Sequence, residues 1–340
     1  MSRVYVANAD DQDITVFDLD AGGGLRGVAT VAMQTPPQTG RSMVLATDPA
    51  QRLLYAAFLR DGHFAVATFA PQPGAAPLRH LGTAQLADTM AYLSTDRSGR
   101  YLLGASYGGN RITVNAIGAD GCVGALVQDI PTAPKAHCIL PDVANRHVLY
   151  TSLGGDRVYR HAFDAASGAL GPEPPATLAM PPQSGPRFLA LSADGRKLYV
   201  NGELDGSVSV HPFDSVSGAL LPSVQCISVL PDGFAGKPWA ADLKLTPDGR
   251  HLYVSERTGS TIAAFAVEAG SGMLRRVGIV PAVRQPRALA IDPEGRFLIV
   301  AGQLSNSVAV HAIDAASGAL RLLAEYPVGR NPTWIEILAP

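Results

Sequence analysis

Seven times in 340 residues an arginine is followed by a short apolar run, at Arg3, Arg52, Arg100, Arg146, Arg196, Arg250 and Arg296. The intervals of 49, 48, 46, 50, 54 and 46 residues are too even for unrelated segments, and each is long enough for about four short strands and their turns. The chain therefore reads as a ring of repeats.

Each copy opens on a turn and runs on as a strand, as in DRSGRYLLGAS (96–106), SADGRKLYVN (192–201), TPDGRHLYVS (246–255) and DPEGRFLIVAG (292–302). Asp, Pro and Gly suit the backbone angles of a tight turn, and the β-branched and aromatic residues after it suit a pleated, half-buried surface. A second segment follows, for example SVSVHPFDSVSGAL (207–220) and SVAVHAIDAASGAL (307–320). Val208, Val210 and Pro212 alternate with Ser207, Ser209 and His211, and the SGAL ending marks a hairpin turn into a further strand. No stretch sustains a helical period. Seven such units predict an all-β fold, a seven-bladed β-propeller whose blades fan around a central channel. The strand RVYVAN (3–8) has no partner before it, and NPTWIEIL (331–338) resembles the blade openings GPRFLAL and QPRALAI. The C-terminal strand is thus expected to pair into the first blade and close the ring without a free edge. On this reading residues 1–340 are a single propeller domain.

Composition fits many tight turns around buried strands: 16% of residues are charged, while Gly numbers 35 and Pro 26. Cys122, Cys138 and Cys226 have no CxxC spacing, which argues against a disulfide framework and a structural zinc site. There is no basic and apolar leader and no apolar run long enough to span a bilayer, so a cytoplasmic protein without a membrane partner is expected. A net charge of −2 gives no electrostatic reason to expect nucleic acid. Oligomeric state leaves no signal.

With strands named a to d from the channel outward, antiparallel order puts the d-to-a connections and the b-to-c loops on one face, where they can share a pocket. The former include TGRSM (39–43), KAHCI (135–139), GPRFL (185–189), GKPWAAD (236–242) and QPRAL (285–289); the latter include SYGGN (106–110), GELDG (202–206), SERTG (255–259) and GQLSN (302–306). Together they are expected to gather His137, Arg187, Glu203, Arg257, Arg287 and Gln303, with Ser106, Tyr107 and Asn110 as hydrogen-bonding neighbours. Arginine's planar fork suits carboxylates and phosphates, so the group points to an anionic small molecule. His137, with an ordinary pKa near ~6.5, suits a general base or acid; Glu203 is a base, an orienting group for His137, or a counter-ion for an arginine. The seven turn arginines fall on the opposite face and read as structural. GASYG (104–108) matches GxSxG, but that nucleophile elbow needs a strand turning into a helix, and here strand leads to strand. Zinc-protease, phosphate-loop and dinucleotide-binding patterns are absent.

The same loops resemble those of the bacterial seven-bladed propeller lactonases, most specifically in SYGGN, in GPR at 185–187, in NGELDGSVSV (201–210), in WAADLKLTPDGRHLYVSERTGSTI (239–262) and in QPRALAIDPEGRFLIVAGQLSNSVAV (285–310). The resemblance implies hydrolysis of a sugar-acid lactone without metal or organic cofactor, first of all 6-phosphogluconolactone. It implies a catalytic group of His137, Arg187 and Glu203, with Arg257, Arg287 and Gln303 on the substrate. Two positions depart from the family pattern, Phe188 and Lys244, where histidine is usual. Strand alternation turns Phe188 toward the blade interior, while Lys244 either adds a charge at the substrate or reaches solvent. Two alternatives stand beside this reading. One is an enzyme acting on another acidic lactone such as carboxymuconolactone, in either direction; the other is a non-catalytic protein-binding propeller, which would bring GH and WD dipeptides repeat after repeat, whereas this chain has one GH, at 62–63, and no WD.

Overall fold

The computed structural model describes residues 2–33, 42–171 and 176–339, so Thr39 to Arg41 of the TGRSM segment lie outside it. Seven antiparallel sheets form the ring, and no helix occurs among the described residues, so none is long and apolar enough to cross a membrane. The innermost strands are Leu45–Thr47, Tyr92–Thr95, Ala136–Pro141, Pro186–Leu191, Ala240–Leu245, Pro286–Ile291 and Pro332–Leu338. The last pairs with Ser2–Asn8, with Arg3 opposite Leu338 and Val6 opposite Ile335, which closes blade 1 as the sequence predicts. Blades 4 and 5 carry their outermost strand in two pieces, Ala169–Leu170 with Ala176–Ala179 and Ala219–Leu220 with Gln225–Ser228.

Second strands such as Tyr101–Ser106, His147–Ser152 and Phe297–Gly302 are buried at every position. A blade is covered by a neighbour on each face, so these strands read as continuous apolar runs and not as alternation. Between blades 7 and 1, Ile299, Val308 and Val310 pack with Val4, Val6 and Ile335. The alternation in the third strand does not divide inside from outside either. Ser209 and His211 are as buried as the valines between them, because Ser209 Oγ meets His211 Nε2 at 2.9 Å and His211 Nδ1 reaches the Leu221 carbonyl at 3.1 Å.

In blades 2, 3, 4 and 7 the residue that holds the inner turn is an aspartate, not the repeating arginine. Asp96 Oδ1 accepts from the backbone N–H groups of Arg100 and Tyr101 at 2.8 and 2.9 Å, and Asp48, Asp142 and Asp292 do the same four and five residues on. Ser192 and Thr246 hydroxyls take that place in blades 5 and 6. The arginines contribute unevenly. Arg100 and Arg146 donate to carbonyls of the next blade, at Ala165 and Ser215, and Arg3 pairs with Asp18, whereas Arg52, Arg196 and Arg250 are exposed. The SGAL glycine has its own reason: at φ +77° a Cβ on Gly168 would sit 2.3 Å from the Tyr101 ring of the preceding blade.

Five innermost strands share one irregularity. In blades 4 to 7 and in blade 1 an extra residue is inserted just past the strand start, between Ala136 and Ile139, Pro186 and Leu189, Ala240 and Leu243, Pro286 and Ala288, and Pro332 and Trp334. Such a bulge re-aims side chains and leaves an N–H without its ladder partner. In blades 4 and 5 a polar side chain on the second strand takes that N–H and passes a bond to the next blade. Thr151 Oγ1 accepts from Cys138 N at 3.0 Å and donates to the Arg187 carbonyl at 2.8 Å. Asn201 Oδ1 accepts from Phe188 N at 2.8 Å while its Nδ2 donates to the Ala241 carbonyl at 2.9 Å. At the seam, Thr333 Oγ1 accepts from Met43 N and donates to Met43 O. Replacing Asn201 by Ala leaves the buried Phe188 N–H without an acceptor, while the Ala241 carbonyl keeps Arg187, and is expected to lower unfolding free energy by about 1–3 kcal/mol in denaturant melts. Arg196→Ala, at an exposed site, is expected to fall within about 0.5 kcal/mol of the parent.

Candidate active site

His137, Arg187 and Arg287 all stand in those bulges, which turn them toward the channel. They meet Glu203 and Arg257, from the b-to-c turns of blades 5 and 6, around a cavity of about 260 Å³ that Trp239 and Tyr107 also line. Glu203 is the centre of the group. Its Oε2 lies 2.8 Å from Arg187 Nε and 2.9 Å from Arg257 Nη2, and its Oε1 accepts from Trp239 Nε1 at 3.2 Å. Arg187 also donates through Nη1 to the Ala241 carbonyl at 2.6 Å, the carbonyl that Asn201 holds from the other side. Arg257 lies 3.9 Å over the Trp239 ring, and its Nε donates to the Trp239 carbonyl at 3.2 Å. Arg287 makes a long contact, 3.4 Å, to Ser42 Oγ.

Charge is unbalanced here. Three guanidinium groups face one carboxylate among the described residues of the lining. Burial pushes the pKa values of Arg187, Arg257 and Arg287 down, with Arg187 adding to the effect on the other two and Glu203 opposing it throughout. A guanidinium holds its proton regardless, so this cost is relieved by an anion entering the cavity. His137 feels the same field: burial first, then Arg187, Arg287 and Arg257, hold its pKa well below the ordinary histidine range. It is a neutral imidazole at neutral pH, with Nδ1 buried and unpartnered among the described residues. The edges of Tyr107 and Phe188 meet its ring at centroid distances of 5.6 and 5.4 Å.

Other expected neighbours are placed differently. Ser106 is fully buried and its Oγ accepts from Gly109 N, just as Ser152 caps Gly155 one blade on; it is a turn cap. Asn110 has φ 51° and its Oδ1 accepts from Lys135 N, so it too shapes the loop. Gln303 donates to Asn331 Oδ1 at 2.7 Å and does not line the cavity. Lys244 lies three residues past Ala241, about 10 Å further along an extended strand. It lines the opposite mouth with Glu336 and Trp334 and pairs with Asp242 at 3.2 Å. Phe188 does not face the blade interior. The bulge breaks the alternation, and its ring sits in the channel against Tyr92, Trp334 and His137, with the Arg187 guanidinium 4.4 Å above it. Sequence reasoning missed Trp239, although it lies in the GKPWAAD opening that marks the mouth.

The family model "Lactonase, 7-bladed beta-propeller" matches residues 3–337. The chain belongs to the seven-bladed propeller lactonases. Among relatives of this lactonase, the 6-phosphogluconolactonase of Pectobacterium carotovorum is 38% identical over 289 residues, covering 85% of this chain and 84% of the other. That of Serratia proteamaculans is 37% identical over the same shares. Among solved structures, the periplasmic gluconolactonase of Pseudomonas aeruginosa superposes with a TM-score of 0.88 at 30% identity, covering 99% of each chain.

Removing the central carboxylate of this lactonase leaves two buried cations uncompensated. Glu203→Gln is expected to cost about 3 kcal/mol of stability. Phosphate should restore part of that loss in thermal melts at constant ionic strength; a variant as stable as the parent without any anion would contradict this charge balance.

Proposed function

We propose that this lactonase hydrolyses 6-phosphogluconolactone to 6-phosphogluconate, as a cytoplasmic enzyme of the pentose phosphate pathway. The observation that carries the reading is the surplus of positive charge around a neutral imidazole in a cavity sized for a single sugar ring. The relatives named for this activity support it.

In this mechanism neutral His137 takes a proton from water as the water oxygen bonds to the lactone carbonyl carbon. Negative charge grows on the carbonyl oxygen, where Arg187 and Arg257, held in place by Glu203, stabilise it. The tetrahedral centre collapses, the ring C–O bond breaks, and the leaving alkoxide receives the proton from His137. The resulting carboxylic acid ionises, releasing one proton per turnover. Arg287, tied among the described residues only to a hydroxyl, is the cation left to hold the acidic tail. Glu203 is a positioning residue, since both its oxygens are already engaged. Lys244 and Gln303 have no role in this scheme, and no step calls on a metal.

The test is proton release on adding fresh 6-phosphogluconolactone, with unphosphorylated gluconolactone alongside and EDTA in both. Preferential hydrolysis of the phosphorylated lactone is expected, and no acceleration of either would sink the reading. His137→Gln should lose at least ~100-fold in kcat while remaining folded. Because His137 acts unprotonated and its pKa is depressed, kcat/KM should stay level as pH falls through ~6.5 and decline only below that. A decline centred at the ordinary histidine value would assign the base elsewhere.

A further inference from the structure

Leu126, Val216, Leu221 and Leu322 are exposed at or near the outermost strands, whereas Trp239 and Tyr107, each 38% exposed, lie against the cavity. Of these two, Trp239 is tied to the central carboxylate. Its backbone N–H donates to buried Glu256 Oε1 at 2.8 Å, its carbonyl accepts from Arg257 N and Nε, and its indole N–H donates to Glu203. Arg257 occupies one face of the ring, and both residues line the cavity. The ring is thus fixed against the carboxylate that positions two of the three guanidiniums.

We propose that the face of Trp239 opposite Arg257 is the platform on which the lactone ring packs, so that the site selects a ring with an exposed C–H face as well as an acidic tail. This rests on the lactonase reading above. A sugar lactone carries its hydroxyls around the ring edge and C–H bonds on its faces. An indole takes such a face from water without competing for the hydroxyls, and it does so at little entropic cost because it is already immobile. Held there, the ring lies next to Arg257 and Glu203, with His137 across the cavity.

The experiment compares wild type, Trp239→Phe and Trp239→Leu with 6-phosphogluconolactone. Phenylalanine keeps an aromatic face and loses the N–H; leucine loses both. The platform requires KM to rise roughly tenfold in Trp239→Leu, to recover in Trp239→Phe, and kcat to change less than KM. Equal KM values in all three overturn it and leave the lactonase reading intact. An equal rise in both variants also overturns it, assigning the effect to the bond with Glu203. Should the wild type turn over no lactone, the reading itself fails. Trp334→Phe, in which Trp239 is the only fluorophore of its kind, is then titrated with gluconolactone. A saturable fluorescence change would preserve the platform as a ring-binding surface, and an unchanged spectrum would remove it.

Discussion

A hydroxyl or amide on the second strand of one blade takes the N–H that a bulge leaves unpaired, and gives its own proton to a carbonyl of the next blade. Ring and site both depend on this contact. Without the bulges at His137, Arg187 and Arg287 the innermost strands would keep strict alternation and could not offer the pocket these side chains together. Without Thr151 and Asn201 the bulges at His137 and Arg187 would each bury a donor with no acceptor, and the blades would lose a polar tie beneath the candidate site. The irregularity and its repair belong to one device.

Glu203 does for the side chains what these ties do for the backbone. A lone carboxylate joins blade 5 to blade 6 through Arg187 and Arg257 and fixes the indole between them. Beneath it, Phe188, Tyr92 and Trp334 fill the channel with edge-on aromatic contacts at centroid distances of 5.1 to 5.9 Å. The arginine cluster is therefore separated from Lys244 and Glu336 at the other mouth. Burial above this floor strengthens the field of the three arginines on His137 and raises the demand for an anion.

Much of this was legible in the residues. The repeat spacing carried the blade count, the likeness of NPTWIEIL to other blade openings carried the closure, and strand order alone placed two loop families on one face. What was not legible follows from a single cause. A bulge has no strong local signature, so period-two reasoning turned Phe188 inward and left the depth of Lys244 open. The repeating arginine was the visible mark of each turn, but the aspartate four residues before it forms the bonds, and serine or threonine can replace it. Ser106 and Asn110 looked like pocket groups because they are polar and close in sequence to Tyr107. Only the hydrogen bonds to Gly109 and Lys135 reveal them as loop architecture.

The pairing of Pro332–Leu338 with Ser2–Asn8 sets an order on how the molecule comes into being. Blades 2 to 7 are each built from strands adjacent in the sequence and can assemble locally as the chain emerges. Blade 1 cannot. The other six blades lie in sequence between its second strand and its innermost one, so one edge of Ser2–Asn8 stays open until blades 2 to 7 have been made. The longest loop in the fold is closed last, and until it closes, Thr333 cannot reach Met43. A nascent chain thus carries one unpaired strand edge for as long as it takes to make the six blades that separate it from its partner.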